Sequence, residues 1–282
     1  MNVRCGPGPY EGFASPSAGA AGSLNSELPA SIRSAGVITI GTSTAYPPYD
    51  FSTVNSTTII GFEPDLRAAL GKLLGVTFQT QVVQFPELIP GIQSKRFAIA
   101  QDGISDTADR EKVVDFVDYA EGGASVILTL TKNSKGVTGY TALCGKTLGT
   151  PLGTEGGITP AQIDQICAKN HLPNVKDTVF PTSPDIQLAL KAGRVDFQLE
   201  DGPTGGYDAK TSNGQITAIP IPGTVDPSPM GIVVPKGSTQ LEKALQDAFN
   251  EIIQNGTYKQ ILDKWGVGTI AVTHSAVNGG TG

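Results

Sequence analysis

The chain has 282 residues, with 26 acidic against 20 basic side chains for a formal charge of −6. No basic block exists for a nucleic acid to neutralise, so a nucleic-acid partner is not expected. No segment reaches the roughly 18 apolar residues of a membrane helix, and the length suits two domains better than one core.

Residues 1–27 are small, rich in Pro, Gly and Ser, and nearly free of aliphatic side chains, which predicts a flexible leader. No apolar run follows Met1, so either the export signal is missing from this sequence or the protein is cytosolic. The run VITIG (37–41) predicts a strand, and residues 64–74 place Leu66, Ala69, Leu70, Leu73 and Leu74 on one helical face. Residues 76–83 predict the next strand and RFAIAQ (96–101) a short buried one. At 103–110, GISDTADR places Arg110 where a strand gives way to a helix, with Ser105, Thr107 and Asp109 as caps or turn formers and Val113 on the same helix. A guanidinium held there can take a carboxylate by two parallel hydrogen bonds, and helix-start N–H groups attract anions; otherwise it is an exposed surface arginine.

Cys144 and Cys167 bracket a segment with turn signals at both ends, whereas Cys5 stands alone in the leader. Paired, the first two would close a loop of about 24 residues and stabilise by about 3 kcal/mol in the chain-entropy model; unpaired, they would be two buried thiols. Pairing would imply an oxidising compartment. With only His171 and His274 and no Cys-x-x-Cys, no metal site and no cofactor are expected. Near the end, Leu241, Leu245, Ala248 and Ile252, then Tyr258, Ile261, Leu262 and Trp265, make two apolar helical faces.

The βαβ rhythm calls for an α/β fold with mostly parallel sheets flanked by helices. PELIPGIQSKRFAIAQDG (86–103) and PDIQLALKAGRVDFQLEDG (184–202) share a helix, a basic turn, a strand and a terminal Asp-Gly. Asp102 and Asp201 would then stand at the carboxyl edges of two sheets, where open α/β folds bind ligands. Generic βαβ grammar would produce the same echo. Arg110 with Asp201 complements a zwitterion, and the aromatics Tyr46, Tyr49, Phe51 and Phe85 lie on loops where they either cover a ligand or pack in the core.

At VITIGTSTAYPPYDF (37–51), GFEPDLRAAL (61–70), GISDTADREKVVDF (103–116), LCGKTLGTPLGTEGG (143–157), RVDFQLEDG (194–202) and NGTYKQILDKWGV (255–267), the chain resembles the polar amino-acid solute-binding proteins of ABC importers. The resemblance runs from about residue 28 to 266 and implies a two-lobed type II periplasmic-binding fold with a two-stranded hinge. It implies lobe 1 from 28–121 plus 223–268, an inserted lobe 2 from 122–222, and a tail from 269–282. By it, Arg110 matches the clamp for a ligand α-carboxylate and Asp201 the acceptor of the α-ammonium. Gly103 and Ser105 complete the half-sites, Thr154 and Glu155 fall where the second lobe offers N–H groups, and Tyr46 and Phe85 match rings that sandwich the ligand. The Cys144 and Cys167 spacing is similar to a disulfide in a subset of the family.

The resemblance further implies a monomer that is periplasmic or extracellular and hands an amino acid to a membrane permease. A lipid anchor at Cys5 is left open, because Asn2, Val3 and Arg4 do not look like a lipobox. Members that prefer basic ligands often carry a carboxylate where this chain has Ser43, so a neutral polar amino acid is the expectation; Asp102 and Glu155 are unusual carboxylates that either meet a ligand cation or face solvent. The expected protein is not an enzyme. The rival is a dehydratase on the same fold, acting on an arogenate-like acid, with Glu155 or Asp102 as general acid.

Overall fold

The computed structural model describes residues 22–53, 56–153, 158–225 and 228–280. A first run of chain contains α1 (Ala30–Ala35), β1 (Val37–Thr42), three short strands β2 (Ala45–Tyr46), β3 (Asp50–Ser52) and β4 (Ile59–Ile60), α2 (Phe62–Leu74), β5 (Thr77–Val82), α3 (Leu88–Gln93), β6 (Ile99–Ala100), α4 (Ala108–Glu111) and β7 (Val114–Ala120). A second run contains β8 (Ala124–Leu130), β9 (Thr147–Pro151), α5 (Pro160–Lys169), β10 (Lys176–Phe180), α6 (Ser183–Lys191), β11 (Phe197–Asp201), α7 (Gly202–Thr211) and β12 (Ile216–Val225). The chain then returns through β13 (Met230–Pro235), α8 (Thr239–Gln254) and α9 (Thr257–Trp265).

Two five-stranded sheets result, ordered β5-β1-β6-β13-β7 and β10-β9-β11-β8-β12, and a small sheet β2-β3-β4 stands beside the first. In the first large sheet β1 runs parallel to β5 and β6, and only β13 opposes its neighbours. In the second, β9 runs parallel to β10 and β11, and only β8 opposes its neighbours. The sheets therefore share one topology, with the reversed strand fourth in each. The echoed segments occupy matching places, since β6 and β11 are each the third strand. The chain leaves the first sheet at Ala120 and enters the second at Ala124, and on the way back Val225 pairs with Ala124.

Helical periodicity accounts for the core of the first sheet. Leu66, Leu70 and Leu74 of α2 are fully buried with Leu245, Ala248, Phe249 and Ile252 of α8 and with Tyr258, Ile261 and Leu262 of α9. Each such aliphatic side chain contributes about 1.5–3 kcal/mol relative to exposure. Leu88, Ile92 and Phe97 form the core on the opposite face. In the second sheet the alternation of a strand is explicit: Val126 and Leu128 of β8 pack with Ile186 and Leu190 of α6, while Ile127 packs with Leu148 and Ile163 on the other side. Cys144 and Cys167 form a disulfide with a Cα–Cα distance of 5.6 Å, tying α5 to the turn before β9.

Three expectations are corrected. Residues 22–27 do not belong to a flexible leader: Leu24 N–H and the Asn25 side chain bond the last carbonyls of α2, Leu73 and Leu74, at 2.9 and 2.8 Å, which a helix end leaves unpaired. The strand expected at 96–101 is confined to Ile99–Ala100, because Arg96 N–H turns back to the Gly91 carbonyl and closes α3. The helix carrying Arg110 is one turn long and excludes Val113, which is exposed. Its cap is Thr107 alone, whose hydroxyl accepts the Arg110 N–H, while Ser105 bridges to Met230 of β13. Of the two alternatives for the aromatics, Tyr49 and Phe51 take core packing: Tyr49 packs on Phe62, and Phe51 meets Trp265 edge-on.

Residues beyond α9 lie along the open edge of β7. Val277 bridges antiparallel to Val117, and the Asn278 side chain bonds the Phe116 N–H and the Asp115 carboxylate at 2.8 Å each. The tail thus covers a sheet edge that would otherwise present unpaired backbone groups. Cys5, Thr154 and Glu155 lie outside the described residues.

Candidate functional site

Between the two sheets lies a cavity of about 430 Å³, walled by both runs of chain. Ser43, Tyr46, Phe85, Asp102, Gly103 and Ser105 line it from the first run, and Leu148, Thr150, Ser183, Glu200 and Asp201 from the second. Six of the residues singled out in the first run, and Asp201 in the second, are therefore brought to one place.

Asp201 ends β11 and caps α7, taking the Thr204 N–H at 2.7 Å on Oδ1. The Tyr46 hydroxyl donates to its other oxygen at 2.5 Å, across the gap between the sheets. Burial raises the Asp201 pKa, while the Thr204 and Tyr46 donors pull it back. The Tyr46 ring stacks on Tyr49 with centroids 4.8 Å apart. It also lies against Gly103, where a Cβ would come within 2.7 Å of the ring and φ is +60°, so this position accepts only glycine.

Arg110 is not itself a wall residue but adjoins the cavity through two residues that are. Its guanidinium donates to the Ser105 carbonyl at 2.9 Å and lies 5.9 Å from the Phe85 ring centroid. A longer bond of 3.4 Å reaches the Gly153 carbonyl in the second run. Arg110 is buried, so its charge acts in a medium of low dielectric.

Asp102 is fully buried, its carboxylate accepting from the Thr42 hydroxyl at 3.1 Å and the Ser43 N–H at 3.2 Å. It is not a solvated surface group. Burial and the nearby Asp50 raise its pKa to about 7. Gly103 offers no amide to the cavity, because its N–H is committed to Glu63 at 2.8 Å. Glu63 also accepts the Tyr119 hydroxyl, and burial together with Asp50 and Asp102 lifts its pKa to about 8. Beneath the site, Arg67 pairs with Asp50 at 2.6 Å.

Sequence reasoning missed Glu200. Its carboxylate accepts from the Ser183 hydroxyl and from Gln198 Nε2 at 2.6 Å, and the Tyr46 hydroxyl lies 3.4 Å from its second oxygen. Burial and the adjacent Asp201 hold its pKa well above the carboxylate range. The one available signal was two consecutive acids closing a buried strand, Leu199-Glu200-Asp201.

Among the described residues no group of three or more His, Cys, Asp or Glu side chains is arranged to hold a metal, and no helix is long and apolar enough to cross a membrane. Chemically, the arrangement offers a buried cation near one end, buried carboxylates along the walls, and aromatic rings between them.

The chain is 25% identical to the arginine-binding protein ArgT of Corynebacterium glutamicum, over 86% of this chain and 79% of that protein. A solved ancestral arginine-binding protein bound to arginine superposes with a TM-score of 0.71 at 30% identity, over 82% of this chain and 98% of that one. An ancestral amino acid-binding protein described as a precursor of cyclohexadienyl dehydratase gives a TM-score of 0.71 at 26% identity, over 83% of this chain and 97% of that one. Two topologically matched sheets with a cavity between them are the type II periplasmic-binding fold, and with a family match over residues 38–268 the chain belongs to the bacterial extracellular solute-binding proteins, family 3.

Proposed function

We propose that this protein is the ligand-capturing component of an amino-acid ABC importer, holding a polar amino acid between its two sheets and delivering it to a membrane permease outside the cytoplasm. The observation that carries the reading is the placement of opposite charges: Arg110 belongs to the first run and Asp201 to the second, at one cavity. An α-carboxylate on Arg110 and an α-ammonium on Asp201 would each form charge-assisted hydrogen bonds, with Tyr46 and Phe85 covering the part between. The arginine-binding relatives support an amino acid as the ligand class.

The lobes follow from the same reading: 28–121 with 223–268 as one, 122–222 as the other, and crossings near 122–124 and near 220–224 as the hinge. A ligand that contacts both lobes favours the arrangement in which they meet, by the difference in its affinity for the two states. Thr154 and Glu155 remain proposed carboxylate-side contacts by resemblance, and Cys5 an open lipid-anchor site. A monomer suffices, since one chain supplies both halves of the cavity.

Calorimetric titration of the ligand-free protein with the common amino acids tests the proposal; saturable binding that Arg110→Ala removes is the expected result. A second reading, dehydration of an arogenate-like acid, is favoured by the cavity carboxyl of Asp102 with its pKa near 7 and by the dehydratase-precursor neighbour. It requires turnover of such a substrate that Asp102→Asn abolishes.

A further inference from the structure

Of the carboxylates that line the cavity, four are described, Asp102, Asp177, Glu200 and Asp201, and no Lys, Arg or His is among the described lining residues. Arg110 adjoins one end. In the proposed pose an amino acid's own two charges satisfy Arg110 and Asp201 and leave the other three carboxylates to be accounted for.

Asp177 is exposed and hydrogen-bonded by Thr150 at 2.7 Å, so water solvates its charge. Glu200 shares the Tyr46 hydroxyl with Asp201, belongs to the same end of the cavity, and is already bonded by the Ser183 hydroxyl and Gln198 Nε2. Asp102 differs from both. Unlike Asp177 it is fully buried, and unlike Glu200 it stands on the wall opposite Asp201; its donors, the Thr42 hydroxyl and the Ser43 N–H, are neutral. The charged group that acts on it is another acid, Asp50, and Arg67 nearby is itself 2.6 Å from Asp50. A buried carboxylate without a cation is costly, and a cavity that contains one is matched to a ligand that brings the cation.

We infer that the cavity selects amino acids with a positively charged side chain, and that Asp102, on the wall opposite Asp201, receives that second cation. This rests on the proposed capture of an amino acid and deepens it. It also replaces the sequence-based expectation of a neutral ligand, which followed from the absence of a carboxylate at Ser43: the Ser43 N–H points at the Asp102 carboxylate, so the strand end supplies the charge that the loop lacks.

The test is calorimetric titration of the stripped full chain with L-arginine and with L-citrulline, which has the same length and shape without the charge. A charge-assisted hydrogen bond corresponds to about 10- to 100-fold in affinity, so arginine should bind tighter than citrulline by that factor. In Asp102→Asn the ratio should collapse to within about threefold while citrulline affinity is retained; near-ultraviolet dichroism of the variant checks that it folds. Equal affinities in the wild type would overturn the inference while leaving amino-acid capture standing. A ratio that survives in Asp102→Asn, or that collapses instead in Glu200→Gln, would overturn the role of Asp102. No binding of any amino acid would overturn capture itself, and with it this inference.

Discussion

The two sheets have the same strand order, yet they treat their third-strand carboxylates differently. After β11 a helix begins at once, so Asp201 becomes an N-cap, with the Thr204 N–H and the positive end of α7 to stabilise it. After β6 no helix starts until Thr107, and Asp102 instead turns back onto the β1 loop, where it meets Thr42 and Ser43. Equivalent topology therefore gives one carboxylate fixed by a helix and one left facing acids. The element that follows a strand decides what its terminal residue can do.

Exchanging each acid for its amide sharpens this contrast most strongly. Asp201→Asn keeps an excellent N-cap, so stability should change little, but the ammonium loses its charged partner and amino-acid affinity should fall by about 2–5 kcal/mol, read by calorimetry. If Asp201→Asn unfolds the protein instead, the carboxylate charge is needed for the fold itself and not only for the ligand.

The second difference is covalent, since the disulfide staples only the second sheet's surroundings. Replacing Cys144 and Cys167 together by Ser should cost about 3 kcal/mol in denaturant unfolding. Hydrogen exchange should rise first in α5 and β9, with α2 and α8 protected as before.

Third comes pH. Glu63 and Asp106 have pKa values raised to about 8, and Asp102 and Asp118 to about 7, each chiefly by burial, and all four belong to the first sheet and its tail; Asp208, near 7, belongs to the second. A carboxyl whose folded pKa lies above its unfolded value binds more protons when folded. Its contribution is complete below the unfolded value near 4 and is lost as pH rises through 7–8. The melting temperature should therefore be higher at pH 5.5 than at pH 8.5, with exchange at Gly279 and Gly280, whose N–H groups bond Asp118 and Asp106, rising early. The reverse order would show that these acids are ionised in the folded protein.

The smallest effect is local. Thr107→Ala removes the cap that holds the Arg110 turn and should cost about 1 kcal/mol in stability.

Much of this was legible in the sequence. The faces of α2, α8 and α9 follow from periodicity, the echo at 86–103 and 184–202 points to two matched sheets, and Tyr46 and Asp201, read as one site, bond each other in the fold. What was not legible depended on tertiary neighbours. Glu63 reads as an ordinary first-turn acid of a helix, and only the fold brings Tyr119 and the Gly103 amide to it. Glu200 reads as the solvent-facing member of a strand, and its burial depends on Ser183 arriving from α6. The docking of residues 22–27 and of the tail followed from unpaired backbone groups at a helix end and a sheet edge, which no local pattern announces.

The central claim is that one amino acid is held between Arg110 and the opposite sheet. Its most direct test is calorimetry of the ligand-free wild type and of Arg110→Ala against the same panel of amino acids. The account predicts tight one-to-one binding to the wild type that weakens by at least about a hundredfold in the variant, the loss expected when one partner of a buried charge pair is removed. A folded wild type that binds none of them, or an Arg110→Ala protein that binds as tightly as the wild type, would contradict it.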